Sequence, residues 1–285
     1  MSELRHAYAE VNGIRMHYVT AGSGPLVLML HGFPEFWYSW RKQIPALAEH
    51  FTVVAPDMRG YNETDKPAWG YEIDVLAADV LGLIAALGHE RATLVGHDWG
   101  GAIAWATAIA HPHRIERLAI LNAPHPVVFG RHLRRNPAQM RRSWYMGFFL
   151  LPMLPELAIR ANGYALVERV FRGTTPPGTF SDEDIAAYKA ALSRPGALTA
   201  ALNYYRAAGR RGARGLVASR DRRCEVPTLL IWGEDDFALS AEMVDETAEF
   251  VSDLTVRRLP GVSHWVQHQA PDEVNAALLE FLRRP

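Results

Sequence analysis

A chain of 285 residues, 49% hydrophobic and 21% charged, can bury a sizeable core, and its length fits one large domain or one domain carrying a substantial insertion. A net charge of −1 and a pI near 6.9 give no global pull towards nucleic acid or an anionic membrane, and the single Cys224 excludes an internal disulfide. Residues 1–13 hold no apolar run of the kind a signal peptide needs. The nearest approach to a membrane span, residues 146–159, is too short and is broken by Pro152 and Pro155. The expectation is a soluble cytoplasmic protein with no nucleic-acid or membrane partner.

In chain order, residues 15–20 alternate apolar and polar after the turn signal Asn12-Gly13, which predicts a hairpin. Residues 25–30 then form a continuous apolar run, the pattern of a strand buried on both faces. Further strands are predicted at 52–55, 92–95 and 117–121, with helices at 74–87 and 101–110 between them. This alternation stops near Pro124 and resumes near Pro227, with strands at 228–232 and 255–259 and a closing helix at 272–282. The fold class expected is α/β: a mostly parallel sheet flanked by helices, with an inserted helical segment. Residues 1–123 and 224–285 would form the core, and 124–223 a helical lid at the carboxyl ends of the strands. The insertion is basic, with seventeen Lys or Arg against six Asp or Glu over residues 131–223, and these charges read as a solvated face.

The segment Ala92-Thr-Leu-Val-Gly-His-Asp-Trp-Gly-Gly101 is a strand, a Gly-x-Asp-x-Gly turn and the start of a small-residue helix. That is the pattern of a nucleophile elbow, in which flanking glycines let a sharp turn lift one side chain above the sheet. Its central residue is Asp98 instead of serine. A carboxylate is already ionised at neutral pH and needs no base to activate it. Attack on a carbonyl would give an unstable anhydride, whereas displacement at a saturated carbon gives an ester. The chemistry thus points to epoxides or carbon–halogen bonds. Gly-x-Asp-x-Gly alone is a common turn pattern; its place between strand and helix gives it weight.

Partners follow in the order nucleophile, acid, histidine. Gly233-Glu-Asp-Asp-Phe237 offers Asp235 or Asp236, which spacing does not separate, and Pro260-Gly-Val-Ser-His264 supplies a base for activating water. The loop Leu30-His-Gly-Phe-Pro-Glu35 follows the third strand. Its Phe33 N–H, with that of Trp99, would form an oxyanion hole.

These motifs resemble those of the α/β-hydrolase-fold epoxide hydrolases, from about Tyr8 to Leu282. The resemblance is strongest in His31-Gly-Phe-Pro-Glu-Phe-Trp-Tyr-Ser-Trp-Arg41, Gly96-His-Asp-Trp-Gly-Gly101 and Gly261-Val-Ser-His-Trp265. It implies that the acid is Asp236, since Glu234-Asp-Asp-Phe-Ala-Leu239 matches the family pattern. It also implies two lid tyrosines that polarise the epoxide oxygen, falling on Tyr145 and Tyr205, with Tyr204 a close competitor for the second. Small hydrophobic epoxides and water would be the substrates, with no cofactor or metal. Phe36, Trp37 and Phe149 are the expected substrate-binding residues, although core packing explains such aromatics equally well. A haloalkane or haloacetate dehalogenase could use the same carboxylate. However, Phe33 stands where many haloalkane enzymes have Asn, Trp99 where haloacetate enzymes carry Arg, and the neutral Asn122 where some relatives draw their acid. A non-catalytic binding protein on this scaffold fits the complete triad less well.

Overall fold

The computed structural model describes residues 3–211 and 223–284. Eight strands form one sheet: β1 (Arg5–Val11), β2 (Ile14–Ala21), β3 (Leu26–Leu30), β4 (Thr52–Pro56), β5 (Ala92–His97), β6 (Ile115–Leu121), β7 (Thr228–Gly233) and β8 (Leu254–Leu259). Their order is β1-β2-β4-β3-β5-β6-β7-β8. The first two strands form the expected hairpin, with Asn12 and Gly13 both at positive φ. β2 runs antiparallel to β4, and from β4 to β8 every neighbouring pair is parallel.

Alternation along the central strands divides the core between two faces. Leu28, Leu30, Leu94, Leu118, Ile120, Leu230 and Trp232 pack beneath the helices Ile73–Ala86 and Trp99–Ala110. Val27, Met29, Val95, Ala119, Leu121, Leu229 and Ile231 face the closing helix Pro271–Leu282 on the other side.

The register decides where the loops meet. Leu30 lies opposite Gly96, His97 opposite Leu121, Leu121 opposite Ile231 and Gly233 opposite Leu259. The carboxyl ends of five adjacent strands are therefore level, and the loops leaving them converge on one edge.

Between β6 and β7 the elements among the described residues are helices, from Pro126–Arg135 to Ala197–Arg211, followed by a single bridge from Cys224 to Val251. One of the helices, Leu154–Gly173, is broken at Ala161–Tyr164, where Asn162, Gly163 and Tyr164 take φ of 51, 64 and 62°. No described helix is long and apolar enough to cross a membrane.

Candidate active site

Asp98 stands between β5 and the helix Trp99–Ala110 with φ 50 and ψ −118, a strained conformation for a residue with a Cβ. Its glycine neighbours make the turn sterically feasible. A Cβ on Gly100 would lie 2.1 Å from the Leu30 carbonyl oxygen, one on Gly96 would lie 2.5 Å from the Gly100 oxygen, and one on Gly32 would lie 2.6 Å from Cβ of Asp98. The helix thus sits tightly against β3, with Asp98 at its positive end.

The Phe33 N–H donates to Asp98 Oδ1 at 2.8 Å, and Oδ2 lies 3.8 Å from Nε2 of His264. Trp99 opens the helix, so its N–H is among those with no intrahelical acceptor. His264 Nδ1 meets Asp236 Oδ2 at 2.7 Å, with both residues buried. Asp235 is exposed, and its backbone N–H bonds the Val262 carbonyl. Among the two acids, only Asp236 reaches the histidine.

Asp236 is held from several directions. The N–H groups of Ala238 and Leu239 donate to Oδ1 at 2.7 and 2.9 Å, and Asn122 Nδ2 donates to Oδ2 at 2.7 Å. Burial raises its carboxyl pKa, but the His264 charge and these donors outweigh it and hold the pKa below the usual value. Burial likewise depresses His264, yet Asp236 first and Asp98 after it lift its pKa to about 9. From the inserted helices, Arg142 donates to the Asp236 carbonyl at 2.6 Å and Gln139 to that of Ala238 at 2.8 Å, which pins the acid's loop from above.

Behind the triad lies a buried network that the sequence reading did not single out. Glu35 accepts from Ser39 Oγ at 2.5 Å and from the Gly32 N–H at 3.1 Å, and meets His97 Nδ1 and His268 Nε2 at 2.9 Å each. The other nitrogen of His97 reaches the His264 carbonyl at 2.9 Å. Arg41 donates to Nδ1 of His268, so the proton of that ring belongs on Nε2, facing Glu35. Burial first of all lowers His268 to about 4, while the two histidines hold the Glu35 carboxyl well below its usual value despite its burial. The network ties the loop after β3, the elbow and the histidine loop together. Its only sequence signal was polar residues adjoining the motifs.

The inserted helices complete a cavity of about 480 Å³ above Asp98 and His264, walled by Phe33, Tyr145, Phe149, Val167, Tyr205 and Trp265. A narrower recess beyond Asp98 is closed by Trp99, Phe129, Met146 and Leu239, and Tyr145 and Tyr205 border both spaces. Their rings lie 6.1 Å apart at 78°. Burial, then the Asp98 charge, raises both phenol pKa values, so both hydroxyls keep their protons. Tyr204 points elsewhere: its hydroxyl donates to the Arg59 carbonyl at 2.8 Å. Of the aromatics expected to bind substrate, Phe149 is in the wall. Phe36 and Trp37 are not; Phe36 packs against Tyr38 and Tyr188, and Trp37 against His6. Phe36 points into the core, and Trp37 is partly buried against its edge.

A family model described as alpha/beta hydrolase fold matches residues 25–271. The AB hydrolase superfamily protein YfhM of Bacillus subtilis (strain 168) is 40% identical over 288 residues, covering 99% of each chain. Epoxide hydrolase 4 of Homo sapiens is 39% identical, covering 98% of this chain and 79% of that one. The crystal structure of a Bacillus megaterium epoxide hydrolase with an inhibitor superposes with a TM-score of 0.92 at 35% identity, covering 98% of this chain and all of the other. With this likeness over nearly its full length, the chain belongs to the epoxide hydrolase family of the α/β-hydrolase fold.

Proposed function

We propose that the enzyme adds water to a small hydrophobic epoxide, giving a vicinal diol through a covalent ester on Asp98. Oδ1 of Asp98 is engaged by the Phe33 N–H, which leaves Oδ2 to attack a ring carbon. As the new C–O bond forms, the ring C–O bond breaks, and Tyr145 or Tyr205 passes its proton to the departing alkoxide. Esterification removes the Asp98 charge that helps to lift the His264 pKa, so the imidazole is more readily in the neutral form that can accept a proton at the moment it is needed. His264 then takes a proton from water, and the hydroxide adds to the ester carbon. The Phe33 and Trp99 N–H groups hold the oxyanion, and its collapse frees the diol and the carboxylate. The proton on His264 returns to the tyrosinate. In this reading residues 124–223 act as the lid and the rest of the chain as the core.

The observation that carries the reading is the pairing, in one cavity, of a carboxylate with two phenols whose hydroxyls no carbonyl or carboxylate engages among the described residues. A departing halide would need no proton, so these donors favour an epoxide. The test is a panel of aryl and aliphatic epoxides assayed for diol, beside haloalkanes and fluoroacetate assayed for halide. Diol without halide is expected; halide without diol would overturn the role of the tyrosines. A single turnover in ¹⁸O-water should place the label in Asp98 and leave it out of the diol, and label in the diol instead would sink the ester.

A further inference from the structure

The net charge of −1 conceals a division within the chain. Residues 131–223 hold seventeen Lys or Arg against six Asp or Glu, so the remainder holds thirteen against twenty-five. The inserted segment is therefore strongly cationic and the sheet-bearing part strongly anionic.

Exposed apolar side chains concentrate on the cationic side. Met153 is 73% exposed, Trp144 70%, Leu157 66% and Leu154 52%, with Leu150 and Leu151 also exposed. All lie within fourteen residues of chain, on the helix Trp144–Phe149, the first turn of Leu154–Gly173 and the segment joining them. A groove of about 840 Å³ runs among Leu150, Pro152, Met153 and Leu157, and Arg160, Arg206 and Arg210 stand along it. Arg206 is committed to Glu156, but Arg160 is exposed and forms no ion pair among the described residues. The same holds for Arg141, which borders the cavity mouth together with Trp144.

A contiguous apolar patch with a cationic rim marks an interaction surface. Its composition of Trp, Leu and Met beside arginines suits the boundary between lipid headgroups and acyl chains. A second copy of the chain fits poorly, because pairing two such faces would bring arginine rims of like charge together. We propose that this face docks on an anionic lipid bilayer, with Trp144, Met153, Leu154 and Leu157 entering the interface and Arg141 and Arg160 against phosphate groups. Docking of this kind needs no spanning helix, and it replaces the reading of the arginines as a plain solvated face. Since Trp144 also walls the cavity, its mouth would open towards the phase in which apolar molecules concentrate. The docking does not depend on which reaction the cavity performs.

The test is flotation of the full chain with phosphatidylcholine vesicles and with vesicles containing phosphatidylglycerol, at low and high salt. Binding should favour the anionic vesicles and weaken with salt. The variant Met153→Asp/Leu157→Asp/Arg160→Glu, none of whose positions faces Asp98, should bind them roughly tenfold less while keeping its melting temperature and its turnover of a water-soluble substrate. Arg160→Glu alone, a change at an exposed position, serves if the triple variant unfolds. Absence of binding to anionic vesicles at low salt would overturn the proposal, as would variants that float like the parent. A concentration-dependent dimer abolished by the same substitutions would assign the face to a second copy instead.

Discussion

Around Asp98, Asp236 and His264 the polar atoms are fixed by hydrogen bonds from strand ends and loops, whereas Tyr145 and Tyr205 are held by packing against Phe149, Phe33 and Trp99. The first arrangement sets atoms to within tenths of an ångström and is backed by buried charge. The second sets ring planes, with the Tyr205 hydroxyl bonded to the Trp99 side chain and to no carbonyl or carboxylate among the described residues. A nucleophile, base and acid need fixed mutual geometry whatever the substrate, while the donors above them must meet oxygens carried on differently shaped molecules. In the proposed reading, covalent chemistry would be lodged in the hydrogen-bonded part and recognition in the packed part.

Several substitutions bear on this contrast. At the sheet edge, Asp98→Ala should lower turnover by about 10⁴-fold or more, and His264→Gln should stop the cycle at the ester. Intact-protein mass spectrometry of His264→Gln with epoxide should show one added substrate mass; an unmodified chain would count against the ester. Beneath the triad, His268 tests the buried foundation. Its pKa in the unfolded chain is near 6.5, and in the fold it is lowered to about 4. The unfolded chain therefore takes up a proton that the folded chain refuses, so stability is full above pH 6.5 and falls as pH drops towards 4. The loss should approach about 3 kcal/mol by denaturant titration, and His268→Gln should flatten it. In the helical half, Tyr145→Phe and Tyr205→Phe should each lower kcat about 10²-fold with little change in melting temperature, since both rings keep their packing. A loss as deep as that of Asp98→Ala would erase the distinction between the halves. The smallest effect belongs to Asn122→Ala, which removes bonds to Asp236 and to Gly233 and should cost about 1–3 kcal/mol of stability.

Chemistry that is local in the chain was legible in the sequence. The strand, glycines and carboxylate of the elbow lie within ten residues, and glycine is diagnostic there because the approach to β3 admits no Cβ. The order of strands and helices was equally readable, because strands buried on both faces are continuous apolar runs. Asp235 and Asp236 are neighbours in a turn, so only the fold shows which one turns inward. Tyr204 and Tyr205 differ by about 100° around one helix, and a reading by spacing cannot fix that phase. The Glu35 network was invisible for a different reason: its members come from the loop after β3, the end of β5 and a helix near the carboxyl terminus, and only the level strand ends bring them together. Phe36 and Trp37 show the converse: membership of a motif suggested a substrate-binding role, whereas their side chains pack against Tyr38, Tyr188 and His6 and are not among the residues walling the cavity.

The break in the helix Leu154–Gly173 has a consequence for how such a protein can change over generations. Ile159 precedes the turn and Val167 follows it, and both are in the cavity wall. Ala161, Asn162 and Gly163 between them are exposed, and a Cβ on Gly163 would meet nothing within 4 Å. Residues added at this point would project into solvent and extend the roof without shifting a strand or the elbow. The turn is a place where the gene can lengthen, and where descendants can acquire new outlines for the chamber while inheriting its chemistry intact.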